Sequence, residues 1–252
     1  MFKLVFSIAL VCCQFHGVAN NTIKLGVAHI PGVLEKGNPN APYNKFLKLI
    51  SDKTDVEFVY IFMPHNRVTK MMSEAKVHCI FPNLPVLDGS SRDSILSSQV
   101  NGVAAYFFTK SGKPIHNTAS LDGKTVVHRQ DYLFSNQLHR LKKINFVAVP
   151  TQKIALKMLL KERADAYLDY LPDIRFAFSK DEIALLSYDE QSPLFYTTDS
   201  FECKNTDVNR QFVDKVSSVI DEFHHSGVMK RLLQDFYFFV PNEEWTDLSK
   251  QQ

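Results

Sequence analysis

The stretch "GVAAYFFTKSGKPIHNTASLDGKTVVHRQDYLF", residues 102–134, holds two strand-like runs separated by a polar, Gly- and Pro-containing connection. The first run, 102–110, is apolar almost to its end and reads as a long crossing strand. The second, 125–129, is short and ends in the turn His128-Arg129-Gln130-Asp131, where a helix over 131–142 begins. A strand running into a helix at a cleft edge ordinarily carries small residues, so that a ligand can approach the backbone. This turn is polar, bulky and free of glycine.

Outward from this stretch, strand-like and helical patterns alternate on both sides. Before it come a strand (22–30), a helix (42–54) with Phe46, Leu47 and Ile50 on one face, a strand (56–63), a helix (65–76) and a strand (77–83). After it come a strand (144–150), a helix (151–163) with Thr151 as its N-cap, a strand (164–170), a short helix and a strand (182–188). A second crossing spans 192–204, and two amphipathic helices over 206–227 and 228–237 close the pattern. Short connections between such elements predict parallel βα units. Two similar α/β units joined by two extended crossings predict a two-lobed clamshell, each lobe a mostly parallel sheet flanked by helices. The hinge falls near 107–109 and 194–196, and a ligand would sit at the facing strand ends.

Charge is nearly balanced, 29 basic against 27 acidic residues, which argues against a nucleic-acid partner. Apolar residues make up 45% of the 252, enough for a substantial core and too many for a disordered scaffold. The first residues, "MFKLVFSIALVCCQFHGVANN", show the cation, apolar run and small residues of a secretory signal peptide, 1–19, with cleavage expected after Ala19. Cys12 or Cys13 is the alternative lipidation point. After cleavage only Cys79 and Cys203 remain. An exported chain permits one disulfide between them, but the reading preferred here is two buried free thiols acting as small hydrophobes. Neither these cysteines nor the adjacent His224 and His225 form a metal-ligand spacing, and no metal or cofactor is implied.

Several stretches, in this order, resemble bacterial extracellular solute-binding protein family 3, which includes the periplasmic amino-acid-binding proteins. They are "IKLGVA", "RVTKMMSEAKVHCIF", "YFFTKSGKPIHNTASLDGKTVVH", "QKIALKMLLKERADAYLDYLPD" and "NTDVNRQFVDKVSSVIDEFHHSGVMKRLLQDFY", together spanning about residues 22–238. The resemblance implies a type II periplasmic-binding fold. One lobe would comprise 20–106 with 195–240, the other 107–194, and a tail 241–252 carries the single tryptophan, Trp245, expected to pack on the first lobe. It further implies a monomeric receptor in the periplasm that closes on a small solute and is recognised by a membrane transporter permease or a sensor kinase.

The family's amino-acid binders hold the ligand carboxylate with an arginine fork, and the matching stretch "NLPVLDGSSRDS" offers Arg92. Its ammonium is held by a carboxylate at the end of a second-lobe strand, where "RADAYLDY" offers Asp169. Alternation puts Asp165, Tyr167 and Asp169 on one side, with Asp165 structural. In place of the family's usual Gly-Ser/Thr turn, Arg129 beside His128 can take over anion binding while Asp131 caps the helix. That substitution favours an acidic or otherwise non-standard small solute. His29 and Asn83 end strands facing the cleft, Tyr43 and Tyr132 sit near helix starts where they pack or stack on a ligand, and Arg67 begins a helix. Two other functions fit the scaffold. One is a periplasmic dehydratase or peptidoglycan lyase using Glu35, Glu162 or Asp169, and the other is a degenerate member that binds a protein.

Overall fold

The computed structural model describes residues 22–83, 93–130, 138 and 140–238. In its first half, β1 (Thr22–Ala28) lies parallel between β2 (Glu57–Met63) and β3 (Cys79–Asn83), with Leu25 opposite both Tyr60 and Cys79. The connecting helices α1 (Pro42–Thr54) and α2 (His65–Ser73) cover opposite faces of these strands, because alternate residues of β1 face different cores. Leu25 and Val27 pack with Phe46, Leu47 and Ile50 of α1, whereas Ala28 packs with Val68 and Met72 of α2. Gly26, on the α2 face, permits that helix to lie close, since a Cβ there would come within 3.3 Å of Val68 and Ile80.

Two ten-residue strands, β5 (Asn101–Lys110) and β10 (Phe195–Lys204), carry the chain between the halves. The stretch Ser200–Cys203 of β10 pairs antiparallel with β3, and Phe195–Asp199 pairs with β5. Residues 105–108 of β5 pair in turn with β8 (Ala166–Tyr170). Beside β8, β6 (Thr125–Arg129) and β7 (Asn145–Val149) are parallel, giving the order β2-β1-β3-β10-β5-β8-β6-β7. Two small strands stand off this path, β4 (Ser94–Leu96) on β10 and β9 (Leu186–Ser187) on β5. The first-half core is aromatic, with Phe46, Phe58, Phe81, Phe201 and Phe212 packed under α1 and α6 (Asp207–His225). In the second half the alternation of β5 splits the core in two. Tyr106 and Phe108 face α3 (Gln152–Leu160), and Val103, Ala105 and Phe107 face Leu168 and Val126.

Local signals set several boundaries as read. Helix α1 spans 42–54, and the Thr151 side chain caps α3 by accepting from the Ile154 N–H at 3.2 Å. Two readings are corrected. Residues 182–188 are not one strand: the Ser179 hydroxyl accepts from the Glu182 N–H while the Glu182 carboxylate accepts from the Ser179 N–H at 2.8 Å. This capping box starts the helical turn α5 (Lys180–Ile183) and leaves only Leu186–Ser187 extended. The cysteines are not free thiols either. Cys79 and Cys203 stand opposite each other on β3 and β10 and form a disulfide, because the two strands pair in that register. The chain continues from β8 into α4 (Leu171–Ala177), and from α6 into α7 (Val228–Leu233) and a 3₁₀ turn, Gln234–Phe236. Among the described residues, no helix is long and apolar enough to cross a membrane.

Candidate functional site

The ends of β6 and β8 place the charges. Their parallel register sets Val127 opposite Tyr167 and His128 opposite Leu168, so the following residues, Arg129 and Asp169, leave the sheet side by side. Asp169 is fully buried. Its carboxylate accepts from the Tyr167 hydroxyl, from Gln152 Nε2 at 3.1 Å and from the Tyr170 N–H at 2.7 Å. Burial, reinforced by repulsion from Asp173, pushes its pKa up to about 7, against those hydrogen bonds. Arg129 is 7% exposed, and its charge opposes the rise that burial imposes on the Tyr167 phenol. His128 takes the other face, half-buried, with Nδ1–H donating to the Arg129 carbonyl at 2.9 Å and its ring edge-on to Phe146. Burial lowers its pKa.

The first half answers with a second buried acid. Tyr43, in the first turn of α1, is fully buried, and its hydroxyl donates to Asp199 on β10. Its ring meets Phe81 and Phe236 edge-on at 5.0 and 5.1 Å. Burial raises the Asp199 pKa to about 8, with the Tyr43 bond opposing and Asp173 adding to the rise. Across from Asp199, Asn101 of β5 donates to the Phe236 carbonyl at 2.9 Å and accepts from the Phe238 N–H at 2.8 Å. Asp173, in the first turn of α4, therefore acts electrostatically on both carboxyls, one from each half. Helix α4 also touches the first half directly: Phe176 lies edge-on to Phe236 at 5.4 Å, and Arg175 donates to the Asp235 carbonyl at 3.4 Å. An opening of about 230 Å³ lies beside this contact, lined by Gly32, Ala41, Pro42, Phe176 and Gln234.

Asn83, at the end of β3, is fully buried opposite Ser200, and its amide opposes the rise that burial imposes on the Glu202 pKa, while the Ser200 hydroxyl has no hydrogen-bond partner among the described residues. Thr197, two residues from Asp199 on the same face of β10, is also buried, its hydroxyl without a partner among the described residues. Buried polar groups are nearly always satisfied, so the Ser200 and Thr197 hydroxyls are candidate positions for a water or a ligand atom.

The sequence-derived candidates divide accordingly. Arg129, Asp169, Asn83 and Tyr43 are all buried, the first two at the ends of the adjacent strands β6 and β8 and the other two in the first half. His29 and Arg67 are exposed at the start of their loop and helix and do not join the cluster. Arg92 and Tyr132 lie outside the described residues. Asp165 accepts from the Thr125 N–H at 2.8 Å, the structural role expected of it. Of the carboxylates considered for catalysis, Glu162 is exposed and paired with Lys110 at 2.9 Å, and Glu35 is bonded to Asn38, which holds its pKa low. Sequence reasoning passed over Asp173, Asp199 and Gln152, and placed Tyr167 beside Asp169 without giving it a role in the site. Asp199 did leave a trace, as the single charge in the run "SPLFYTTDSF". Among the described residues no three metal-ligating side chains converge.

The buried acids make stability pH-dependent in a defined direction. With native pKa values near 7 and 8, Asp169 and Asp199 keep protons that the unfolded chain has lost. Their stabilising contribution is complete below the ordinary carboxylate range and is lost as pH rises through those values. The thermal midpoint is therefore expected to fall from about pH 5 to about pH 8 as these protons are lost, and Asp199→Asn to flatten that fall. A midpoint level or rising over this window would contradict the assignment.

No protein-family model matches the chain, and no curated protein matches it in sequence. Solved structures do match. The GluR0 ligand-binding core from Nostoc punctiforme, in complex with L-glutamate, superimposes with a TM-score of 0.69 at 16% identity over 85% of this chain and 99% of that one. The substrate-binding protein of an amino acid ABC transporter gives 0.65 at 14% identity over 86% and 99%. An ancestral amino-acid-binding protein, a precursor of cyclohexadienyl dehydratase, gives 0.65 at 11% over 86% and 95%. At these identities the likeness is one of fold, and the chain has the two-lobed type II periplasmic-binding fold.

Proposed function

We propose that this protein is a solute receptor of the periplasm. It captures a small polar or anionic, amino-acid-like molecule between its lobes and presents it to a membrane transporter or sensor. The observation that carries the reading is Arg129, buried at the end of β6, the strand beside β8, where its charge acts on the Tyr167 phenol that donates to Asp169. A buried guanidinium at a strand end is the chemistry that fixes a carboxylate, and the neighbouring acids suit an ammonium. The neighbours of this fold that are described with amino acids support the solute class. Binding then shifts an open–closed equilibrium through β5 and β10.

The test is a calorimetric or thermal-shift titration of the ligand-stripped protein against amino acids, dicarboxylates and short peptides. Arg129→Ala is expected to weaken the best ligand by about 2–5 kcal/mol, at least about thirtyfold. Wild-type affinity in that variant would remove Arg129 from the site. A second reading, an enzyme on the same scaffold, is favoured by one observation: Asp169 has a pKa of about 7, suited to proton transfer. Its full burial and three donors weigh against it. Conversion of the bound ligand, followed by NMR, separates the two.

A further inference from the structure

The first half carries an apolar surface that the cleft does not use. Strand β2 is an edge of the sheet, yet from Phe58 to Met63 every side chain is apolar or aromatic. Val59 and Tyr60 are 43% and 41% exposed. Phe58, Tyr60 and Phe62 form a ladder on one face, with ring centroids 5.7 and 6.2 Å apart. Between this ladder and α1 runs a groove of about 680 Å³, with Tyr60, Phe62 and Leu232 among its apolar lining and Lys45 and Lys48 among its charges. Lys48 pairs with Asp52 at 2.8 Å, whereas Lys45 is exposed and makes no ion pair among the described residues. Edge strands are normally blunted by charge or covered, and exposed apolar grooves rimmed by charge are docking surfaces.

We propose that the occupant is the chain's own C-terminal segment, residues 239–252, with Trp245 seated on Tyr60 and Phe62 and its acids facing Lys45 and Lys48. Composition supports this: "FVPNEEWTDLSKQQ" carries the only tryptophan of the protein, flanked by Glu243, Glu244 and Asp247. An indole suits the aromatic floor and carboxylates suit the lysine rim. Reach also supports it. Leu232 lies on the groove wall, so Phe238, six residues on, stands within about 20 Å of it, and Trp245 can return over up to about 25 Å. A tethered segment meets its groove at an effective concentration in the millimolar range, well above that of a second copy in dilute solution.

The single tryptophan makes the test direct. In the full chain, emission is expected to be blue-shifted from that of free tryptophan and protected from acrylamide. Lys45→Glu alone, and more so together with Tyr60→Ser, is expected to shift emission to the red and raise quenching several-fold, with an unchanged far-ultraviolet dichroism spectrum. Lysines at Glu243 and Glu244, placed in the Lys45→Glu, Lys48→Glu background, are expected to restore protection. Solvent-like emission in the wild type would overturn the proposal. So would protection that the groove variants leave untouched, or protection lost on dilution, which would assign the groove to a second copy.

Discussion

Replacing Cys79 and Cys203 together by alanine, or reducing the bond, is expected to cost about 4–5 kcal/mol. The bridge joins residues 124 apart, and a cross-link closing so long a loop removes the most entropy from the unfolded chain. For a chain of this size that corresponds to a fall of roughly 8–20 °C in thermal midpoint. The site reinforces the effect. Both cysteines are fully buried, so the sulfurs lie within the aromatic core of Phe46, Phe81 and Phe201 and are part of its packing. The bridge also ties β3 to β10, the crossing strand, and so fixes where the first half meets the hinge. Thermal unfolding with and without reductant measures this directly. A shift below about 3 °C would show that pairing and core packing hold β3 to β10 without the bond.

Tyr43→Ala is expected to cost about 4 kcal/mol or more. Deleting a fully buried ring of this size costs about 3–5 kcal/mol. The same change strips Asp199 of its donor, which adds to the cost. Tyr43→Phe isolates the second part: it keeps the contacts to Phe81 and Phe236 and loses only the bond to Asp199, at about 1–3 kcal/mol. Chemical denaturation of the two variants separates packing from hydrogen bonding. The pair also decides a question about the site. If Tyr43→Ala left stability near wild type and abolished binding, the ring would be a ligand contact and not a wedge between α1 and the crossing strands.

Much of the architecture was legible because its causes are local. The crossing strand at 101–110 announces itself as a long uncharged run, and α1 shows its buried face through the spacing of Phe46, Leu47 and Ile50. Thr151 marks the start of α3 because an N-cap is chemistry between residues three apart. At Ser179 and Glu182 the same kind of local chemistry overrides the apolar pattern: the run 182–188 reads as a strand, yet the capping box makes it begin in a helical turn.

The site was legible only in part. Alternation correctly put Tyr167 and Asp169 on one side of β8, as the bond between them requires. It could not say that this side is closed over by Gln152 from α3, 17 residues earlier in the chain, leaving the carboxylate fully buried. Tyr43 meets Asp199 across 156 positions, and nothing near either residue in the chain announces the other. The alternation of strands and helices, the two crossings and the buried face of α1 follow from periodicities of a few residues, and the chain alone carries them. Only the tertiary arrangement sets Cys79 against Cys203, brings two buried acids within electrostatic reach of Asp173, and leaves an apolar groove beside β2. Those features depend on strand register and on how helices cover a sheet. Such contacts are made between segments far apart in the chain and leave no period in it.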